Sequence, residues 1–292
     1  MIYKNCEIIF GSDGLIGSEL QKVRTKYLFT VSRSINSKKK NHFSGDIRNI
    51  SFVKKIYRKI KNNGFKKIVI YYLAGHSRIK YNSKKTDIIV KNTVIKLVNI
   101  LNTFKGANVK IVIASSGSIY KPKKKQLTEK SKINPTNLYS SLKFLEENIA
   151  REFHRNHGTK IIIGRIFSIF SPNANNFFIN DLKKKLLSKN KKIIFYGSGK
   201  QGRDYLIIND VCKALKIISK KGKSDNIYNI CSGKYFHLKK IIEFFLLKTG
   251  KKKKIVWDKI NKYHENDLFF GSNKKIVNLG FKPKILSYND FL

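Results

Sequence analysis

The stretch Glu7-Ile8-Ile9-Phe10-Gly11-Ser12-Asp13-Gly14-Leu15-Ile16-Gly17 decides how this chain is read. Its first four residues form an apolar run that suits a buried strand. The glycines follow at G-x-x-G-x-x-G spacing, and an apolar stretch with helical spacing, Ile16-Arg24, comes next. Strand before and helix after is the context in which such glycines carry meaning. Gly11 lets the chain turn tightly, Gly14 lets backbone approach a pyrophosphate, and Gly17 lets helix and strand pack closely. The helix then points free amide donors and a positive dipole end at the same phosphates.

Outward from this turn the pattern repeats. Glu7-Phe10, Tyr27-Val31, Lys67-Leu73, Lys110-Ala114 and Lys160-Ile166 are nearly continuously apolar and rich in β-branched residues, as strands buried on both faces should be. Helical segments are expected at Ile16-Arg24, Ile50-Asn62, Asp87-Phe104 and Tyr139-Asn156. Strand alternating with helix predicts a doubly wound parallel sheet of Rossmann-like α/β class, with ligands at the carboxyl ends of the strands. Beyond Pro172 the elements shorten: helices at Phe177-Ser188, Asn209-Ser219 and Leu238-Lys248, and a strand at Ile193-Tyr196. These read as a smaller, mixed α/β lobe. The expected division is residues 1–171 for the dinucleotide-binding domain, with parts of 205–232 packing back onto it, and 172–292 for the substrate lobe.

Composition bounds the partners. The chain has 292 residues and a formal charge of +44, with 62 Lys+Arg against 18 Asp+Glu. Only nine of those bases are Arg, the side chain whose planar fork serves specific phosphate and base recognition. The lysines are spread along the whole length, and Lys, Asn, Ile and Phe are all abundant, as an AT-rich coding sequence produces. A solvated lysine surface is therefore expected, not a specific nucleic-acid groove. No apolar run approaches the roughly 18 residues of a membrane span, so no membrane insertion is expected. Cys6, Cys212 and Cys231 show no CxxC pairing, and neither disulfides nor a metal site is expected. The N-terminus carries no secretion signal, and a cytoplasmic location is the default.

The end of the second strand bears on which dinucleotide binds. An acid about 20 residues past the glycines would bond the ribose hydroxyls of NAD. Here the strand ends Val31-Ser32-Arg33-Ser34. Arg33 flanked by serines would attract the 2′-phosphate of NADP. Asp46, in Gly45-Asp46-Ile47, follows the next extended stretch and is placed to face an adenine amine or simply to make a turn.

Catalytic chemistry is suggested farther on. After the strand Lys110-Ala114 comes Ser115-Ser116-Gly117-Ser118-Ile119-Tyr120, and then Tyr139-Ser140-Ser141-Leu142-Lys143. Tyr139 and Lys143, four apart on a helix, share one face. A nearby ammonium favours phenolate and pulls a tyrosine below its ordinary value of about 10. Such a tyrosine exchanges a proton with a sugar hydroxyl or ketone, and a strand-end serine steadies charge on the same oxygen.

Further stretches are Tyr72-Leu73-Ala74-Gly75, Asn92, Arg165-Ile166-Phe167-Ser168-Ile169-Phe170-Ser171-Pro172, Tyr196-Gly197-Ser198-Gly199 with Arg203-Asp204-Tyr205 and Asp210-Val211, and Tyr228-Asn229-Ile230-Cys231-Ser232-Gly233. With the glycine turn, the serines and the Tyr-Lys pair, the chain resembles the extended short-chain dehydrogenase/reductase family in its nucleotide-sugar epimerase/dehydratase branch. The resemblance covers nearly the whole length. It implies Ser116 as the catalytic Ser/Thr, Tyr139 as acid/base, and Lys143 as the residue that lowers the tyrosine's pKa and holds the nicotinamide ribose. It implies that Gly11, Gly14, Leu15, Ile16, Gly17, Asp46, Ile47, Leu73, Ala74, Gly75, Asn92 and Ser115 meet the dinucleotide, NAD or NADP, beside Arg33. It implies that Ser116, Ser168, Asn176, Phe177, Phe195 and Arg203 line a pocket for a nucleotide-diphosphate sugar. It also implies a homodimer through 87–104 and 139–156, and a role in making polysaccharide or glycolipid precursors.

Departures from the family pattern narrow the chemistry. Family dehydratases place Asp-Glu directly after the catalytic Ser/Thr; this chain has Gly117-Ser118, which disfavours dehydration. Ser168 stands where relatives carry an Asn, and His264 where they carry a second diphosphate Arg. The expected activity is a nucleotide-sugar epimerase working by hydride transfer at sugar C4. An NADPH-dependent 4-ketosugar reductase and a non-catalytic dinucleotide sensor are the alternatives.

Overall fold

The computed structural model describes residues 4–23, 25–34, 41–75, 86–106, 108–172, 178–258 and 268–292. Asn176, Phe177 and His264 lie outside these residues.

The first half of the chain follows the expected alternation. β1 (Lys4–Phe10) leads through the glycine turn into α1 (Leu15–Leu20). Then come β2 (Leu28–Ser32), β3 (His42–Ser44), α2 (Ile50–Asn62), β4 (Phe65–Tyr72) and α3 (Thr86–Thr103). β5 (Val109–Ser116), α4 (Leu138–His157), β6 (Lys160–Ile166) and β7 (Ser168–Phe170) follow. α1 is shorter than the expected 16–24, because Lys22 and Val23 donate to the carbonyls of Glu19 and Leu20, tightening the last turn out of α-geometry. α2 keeps its expected bounds and is capped by Asn49, whose side chain accepts from the amides of Ser51 and Phe52.

The second half contains α5 (Phe178–Leu187), β8 (Lys192–Tyr196), β9 (Gly202–Arg203), β10 (Tyr205–Ile207), α6 (Ile208–Lys221) and β11 (Asn226–Ile230). It closes with β12 (Phe236–His237), α7 (Leu238–Thr249), β13 (Lys254–Asp258), β14 (Leu268–Phe269) and α8 (Lys274–Val277).

Seven strands form one parallel sheet in the order β11-β6-β5-β4-β1-β2-β3. The order reverses between β1 and β4, the switch point at which doubly wound sheets open a crevice. Alternate strand residues serve the two faces. Ile8, Phe10, Ile70, Ile111 and Ile163 pack with Ile56 of α2 and Leu97 and Ile100 of α3. Ile9, Tyr71, Val112 and Ile162 pack with Leu20 of α1 and Val211, Leu215 and Ile218 of α6. Ile276 of α8 and Phe281 join that second face, so part of the C-terminal segment packs against the sheet.

A third core lies apart from the sheet. Ile179, Leu182 and Leu186 of α5, Ile193 and Phe195 of β8, Ile241, Ile242 and Phe245 of α7, and Phe291 enclose it. β8 pairs in parallel with β13, and β10 pairs with β7. β7 follows β6 directly, so this lobe hangs from the carboxyl end of the main sheet.

Candidate active site

The glycine turn sits at the switch point. Gly11 has φ +88°, and a Cβ there would lie 2.8 Å from the Ala74 amide and Leu73 carbonyl at the end of β4. A Cβ on Gly17 would lie 2.2 Å from the Gly11 carbonyl oxygen. Both positions are closed to any side chain, so the turn and the end of β4 form one tight cradle. Beside it opens a cavity of about 380 Å³ lined by Gly11, Gly14, Arg33, Asp46, Ile47, Leu73, Ala74, Gly75 and Asn92 of the expected residues. Leu15 and Ile16 instead pack against the core of the second sheet face, and Gly17 is buried beneath the turn. Their part is to hold the cradle.

The far end of the cavity adds residues the sequence reading passed over. Arg48 donates through its backbone amide (2.9 Å) and Nε (2.7 Å) to the Asp46 carboxylate, and through Nη1 to Asn92 Oδ1 at 3.2 Å. Hydrogen bonds and charge from Arg48, with Arg33 adding to them, hold the Asp46 carboxyl below the usual carboxylate range. Lys96, on the same wall, donates to the Ala74 carbonyl at 3.3 Å, and burial pushes its pKa down. Arg33, Arg48 and Lys96 thus face a cavity whose Asp46 is already neutralised. Lys96 was discoverable: it lies four residues after Asn92, one helical turn along the same face.

The catalytic candidates come from β5 and α4. Asn137 caps α4 with a reciprocal box: its side chain accepts from the Ser140 amide (2.9 Å) and its amide donates to Ser140 Oγ (3.2 Å). Tyr139 therefore lies in the first, well-anchored turn, with Lys143 one turn on. Lys143 Nζ donates to the Ala114 carbonyl of β5 at 2.9 Å. A Cβ on Gly75 would lie 2.5 Å from that nitrogen, so the ammonium sits against the floor of the cavity. Ser116 ends β5 and caps the following 3₁₀ turn; its Oγ accepts from the Ser118 amide at 3.2 Å and lies 2.9 Å from Ser118 Oγ.

Glu146 was not anticipated. It is 1% exposed and accepts from Lys143 Nζ at 2.9 Å and from the Tyr72 hydroxyl at 3.1 Å. Burial alone would push the Lys143 pKa down; the Glu146 carboxylate, with Tyr139 and Glu147 adding to it, outweighs burial, and the net direction is up. The next residue, Glu147, is engaged separately by Arg165 of β6, whose Nη1 also reaches the Tyr120 hydroxyl at 2.8 Å. The Arg165–Glu147 ion pair, with the hydrogen bonds from Lys143 to Ala114 and from Tyr72 to Glu146, thus fastens α4 to the sheet. Ser115 Oγ is buried and has no hydrogen-bond partner among the described residues.

These features fit a dinucleotide. The glycine cradle leaves room only for backbone against a ligand, the orphaned Ser115 hydroxyl lies in the strand end next to Ser116, and Lys143 holds its ammonium at the cavity floor.

A second cavity, about 880 Å³, opens in the smaller lobe and is lined by Ser168, Phe195 and Arg203 of the expected residues, with Phe178, Tyr196 and Tyr205. Behind it the buried Asp204 carboxylate accepts from the amides of Ser232 (2.8 Å), Gly233 (2.9 Å) and Gly271 (3.3 Å) and from Ser232 Oγ (2.7 Å). Burial pushes its pKa up to about 6 even against these donors. Arg203 is thereby placed on a short strand whose next residue is tied to the carboxyl end of β11.

The sequence matches the NAD dependent epimerase/dehydratase family over residues 8–231. The dTDP-D-glucose 4,6-dehydratase of Dictyostelium discoideum is 27% identical over 76% of this chain and 57% of its own length, so the chain spans little more than half of that relative. The UDP-glucose 4-epimerase of Lactobacillus helveticus is 25% identical over 98% of this chain and 94% of its own. The solved structure of UDP-glucose 4-epimerase from Thermotoga maritima with UDP-glucose superposes with a TM-score of 0.81 at 18% identity, covering 98% of this chain and 96% of that one. At that identity the likeness establishes the fold.

Proposed function

Because the chain belongs to the NAD dependent epimerase/dehydratase family, whose members similar to it include both reactions, we propose that it is a nucleotide-sugar 4-epimerase. The observation that carries this reading is that Lys143, one turn along α4 from Tyr139, donates to the Ala114 carbonyl of β5, two residues before Ser116, and lies against Gly75 beside the glycine cradle. A bound nicotinamide would supply the hydride acceptor and donor. Tyr139 takes the proton of the C4 hydroxyl as hydride leaves that carbon, and a ketone forms. Ser116 bonds the same oxygen, and the Lys143 ammonium favours negative charge on the Tyr139 oxygen during transfer. Return of hydride and proton to the opposite face gives the epimer with no net redox change.

Gly117 and Ser118 carry no carboxyl to remove a neighbouring hydroxyl, which favours epimerase over dehydratase within the family. The second cavity would hold the nucleotide diphosphate, with Arg203 as a two-pronged donor to it. Asn176 and Phe177 keep their proposed place there from sequence alone. α3 and α4 pack side by side and leave Ile88 and Leu145 exposed at 46% and 36%; a homodimer through this surface is the matching assembly. The three cysteines are free and buried, which suits a reducing cytoplasm.

A second reading has one specific observation in its favour. Arg33, Arg48 and Lys96 on the dinucleotide cavity suit the extra phosphate of NADPH, and hence a 4-ketosugar reductase. Denaturing freshly purified protein and weighing what it releases separates the two. Stoichiometric NAD supports the epimerase. An empty site that takes NADPH and consumes it with a nucleotide 4-ketosugar supports the reductase. No dinucleotide bound or taken up contradicts both.

A further inference from the structure

β2 and β3 pair in parallel with Thr30 opposite His42 and Ser32 opposite Ser44. Thr30 and Ser32, two residues apart, face the same side of the sheet. The His42 ring lies between them: Nδ1 is 2.8 Å from Thr30 Oγ1, and Nε2 is 3.2 Å from Ser32 Oγ. Thr30 and Ser32 are 4% and 7% exposed. Their hydroxyl protons therefore need partners inside the protein or in the cavity that Ser32 lines.

One tautomer satisfies the group as a whole. The Thr30 hydroxyl donates to Nδ1, which leaves Nε2–H to donate to Ser32 Oγ. Ser32 Oγ also accepts the backbone amide of Ser34 at 3.3 Å. With both lone pairs filled by N–H donors, the Ser32 hydroxyl has only its own proton left to offer, and the cavity is where it can go. Beside it stand Arg33 and Arg48, donors only. Of the two acids on the cavity, Asp13 belongs to the glycine turn, and Asp46, on the Arg33 side, is occupied by Arg48. A rim composed of donors suits a ligand made of acceptors. A phosphate monoester is such a ligand, whereas the free ribose diol of NAD calls for an acceptor.

We propose that His42 is a specificity-determining positioning residue: it turns the Ser32 hydroxyl outward as a donor to the 2′-phosphate of NADP(H). This rests on the reading of the cavity as a dinucleotide site and deepens the second, NADPH-binding reading given above. His42 does not line the cavity; it acts through Ser32.

The test is direct binding of NADPH and of NADH, followed by their fluorescence, to the wild-type protein, His42→Ala and His42→Gln. A donor lost to a charged group costs about tenfold in affinity or more. The wild type is expected to prefer NADPH. His42→Ala is expected to lose about tenfold for NADPH while its NADH affinity stays within about twofold. His42→Gln, which keeps an N–H in reach of Ser32, is expected to recover most of the loss. A purely structural role would weaken both ligands together, and that result overturns the proposal, as does an unchanged NADPH preference in His42→Ala. Should His42→Ala not fold, Ser32→Ala is read the same way, with an NADPH-selective loss supporting and a retained preference overturning. A wild type that binds neither dinucleotide overturns the cavity reading itself; one that binds both but favours NADH overturns the phosphate assignment alone.

Discussion

Lys143 and Glu146 form a buried ion pair at 2.9 Å, with 9% and 2% of their side chains exposed, against Gly75 in the wall of the cavity beside the glycine turn. The pair closes a chain that runs from the Tyr72 hydroxyl through Glu146 and Lys143 to the Ala114 carbonyl. An ammonium alone in this place would lose its proton or its position; the carboxylate secures both.

Breaking this pair should cost more than removing it. Glu146→Gln leaves a buried ammonium without its counter-charge, and a loss of about 3–5 kcal/mol in urea unfolding is expected. The double variant Lys143→Met/Glu146→Leu should recover most of that stability while remaining inactive. Equal losses in the single and double variants would show that the pair is not energetically coupled.

The glycines should separate binding from folding. A Cβ on Gly14 meets only the Gly11 oxygen, at 3.3 Å, whereas one on Gly17 would lie at 2.2 Å. Gly14→Ala should melt near the wild type but bind dinucleotide at least about tenfold more weakly, since it intrudes where the pyrophosphate approaches. Gly17→Ala should unfold at clearly lower temperature. Calorimetry and dinucleotide titration on the two variants check both statements.

Asp204 should leave a signature in stability against pH. Its native carboxyl keeps a proton up to about pH 6, while an unfolded aspartate lets go near 4. Between those values the native state binds more protons, so this group's contribution falls as pH rises, by roughly 2–4 kcal/mol across the window. Asp204→Asn, less stable overall because its amide faces the Gly233 and Gly271 amides, should lack that slope. Urea midpoints at pH 4 and pH 7, compared between wild type and variant, measure it; parallel profiles would contradict the assignment.

The α3–α4 surface should hold two copies together. Ile88→Glu with Leu145→Glu puts four like charges into a two-fold interface and should yield a monomer by light scattering. A wild type already monomeric at micromolar concentration would contradict the dimer.

Much of this was legible in the chain. The nearly continuous, β-branched apolar runs placed the sheet, because strands buried on both faces read as unbroken apolar stretches. The bounds of α2 were readable because Asn49 and the 3.6-residue spacing of Val53, Ile56 and Ile60 agree. Asn209-Ser219 was read among the elements of the smaller lobe, with parts of 205–232 expected to pack back onto the first domain, and α6 does cover the main sheet; local periodicity says that Val211, Leu215 and Ile218 are buried but not against what. Glu146 was invisible for a related reason. A glutamate three residues from a lysine on a helix is usually a solvated pair, and only the packing of α4 on β5 shows that this one is inside. His42 carried no local signal at all, since its two partners lie ten and twelve residues earlier, on the neighbouring strand.

The most direct measurement is proton NMR of UDP-, GDP-, CDP- and dTDP-hexoses incubated with the purified protein and catalytic nicotinamide dinucleotide. On this account one pair of C4 epimers reaches equilibrium with no net consumption of the dinucleotide, and Tyr139→Phe slows the exchange by about a hundredfold or more. Loss of water to a 4-keto-6-deoxysugar, or full turnover by Tyr139→Phe, would contradict it.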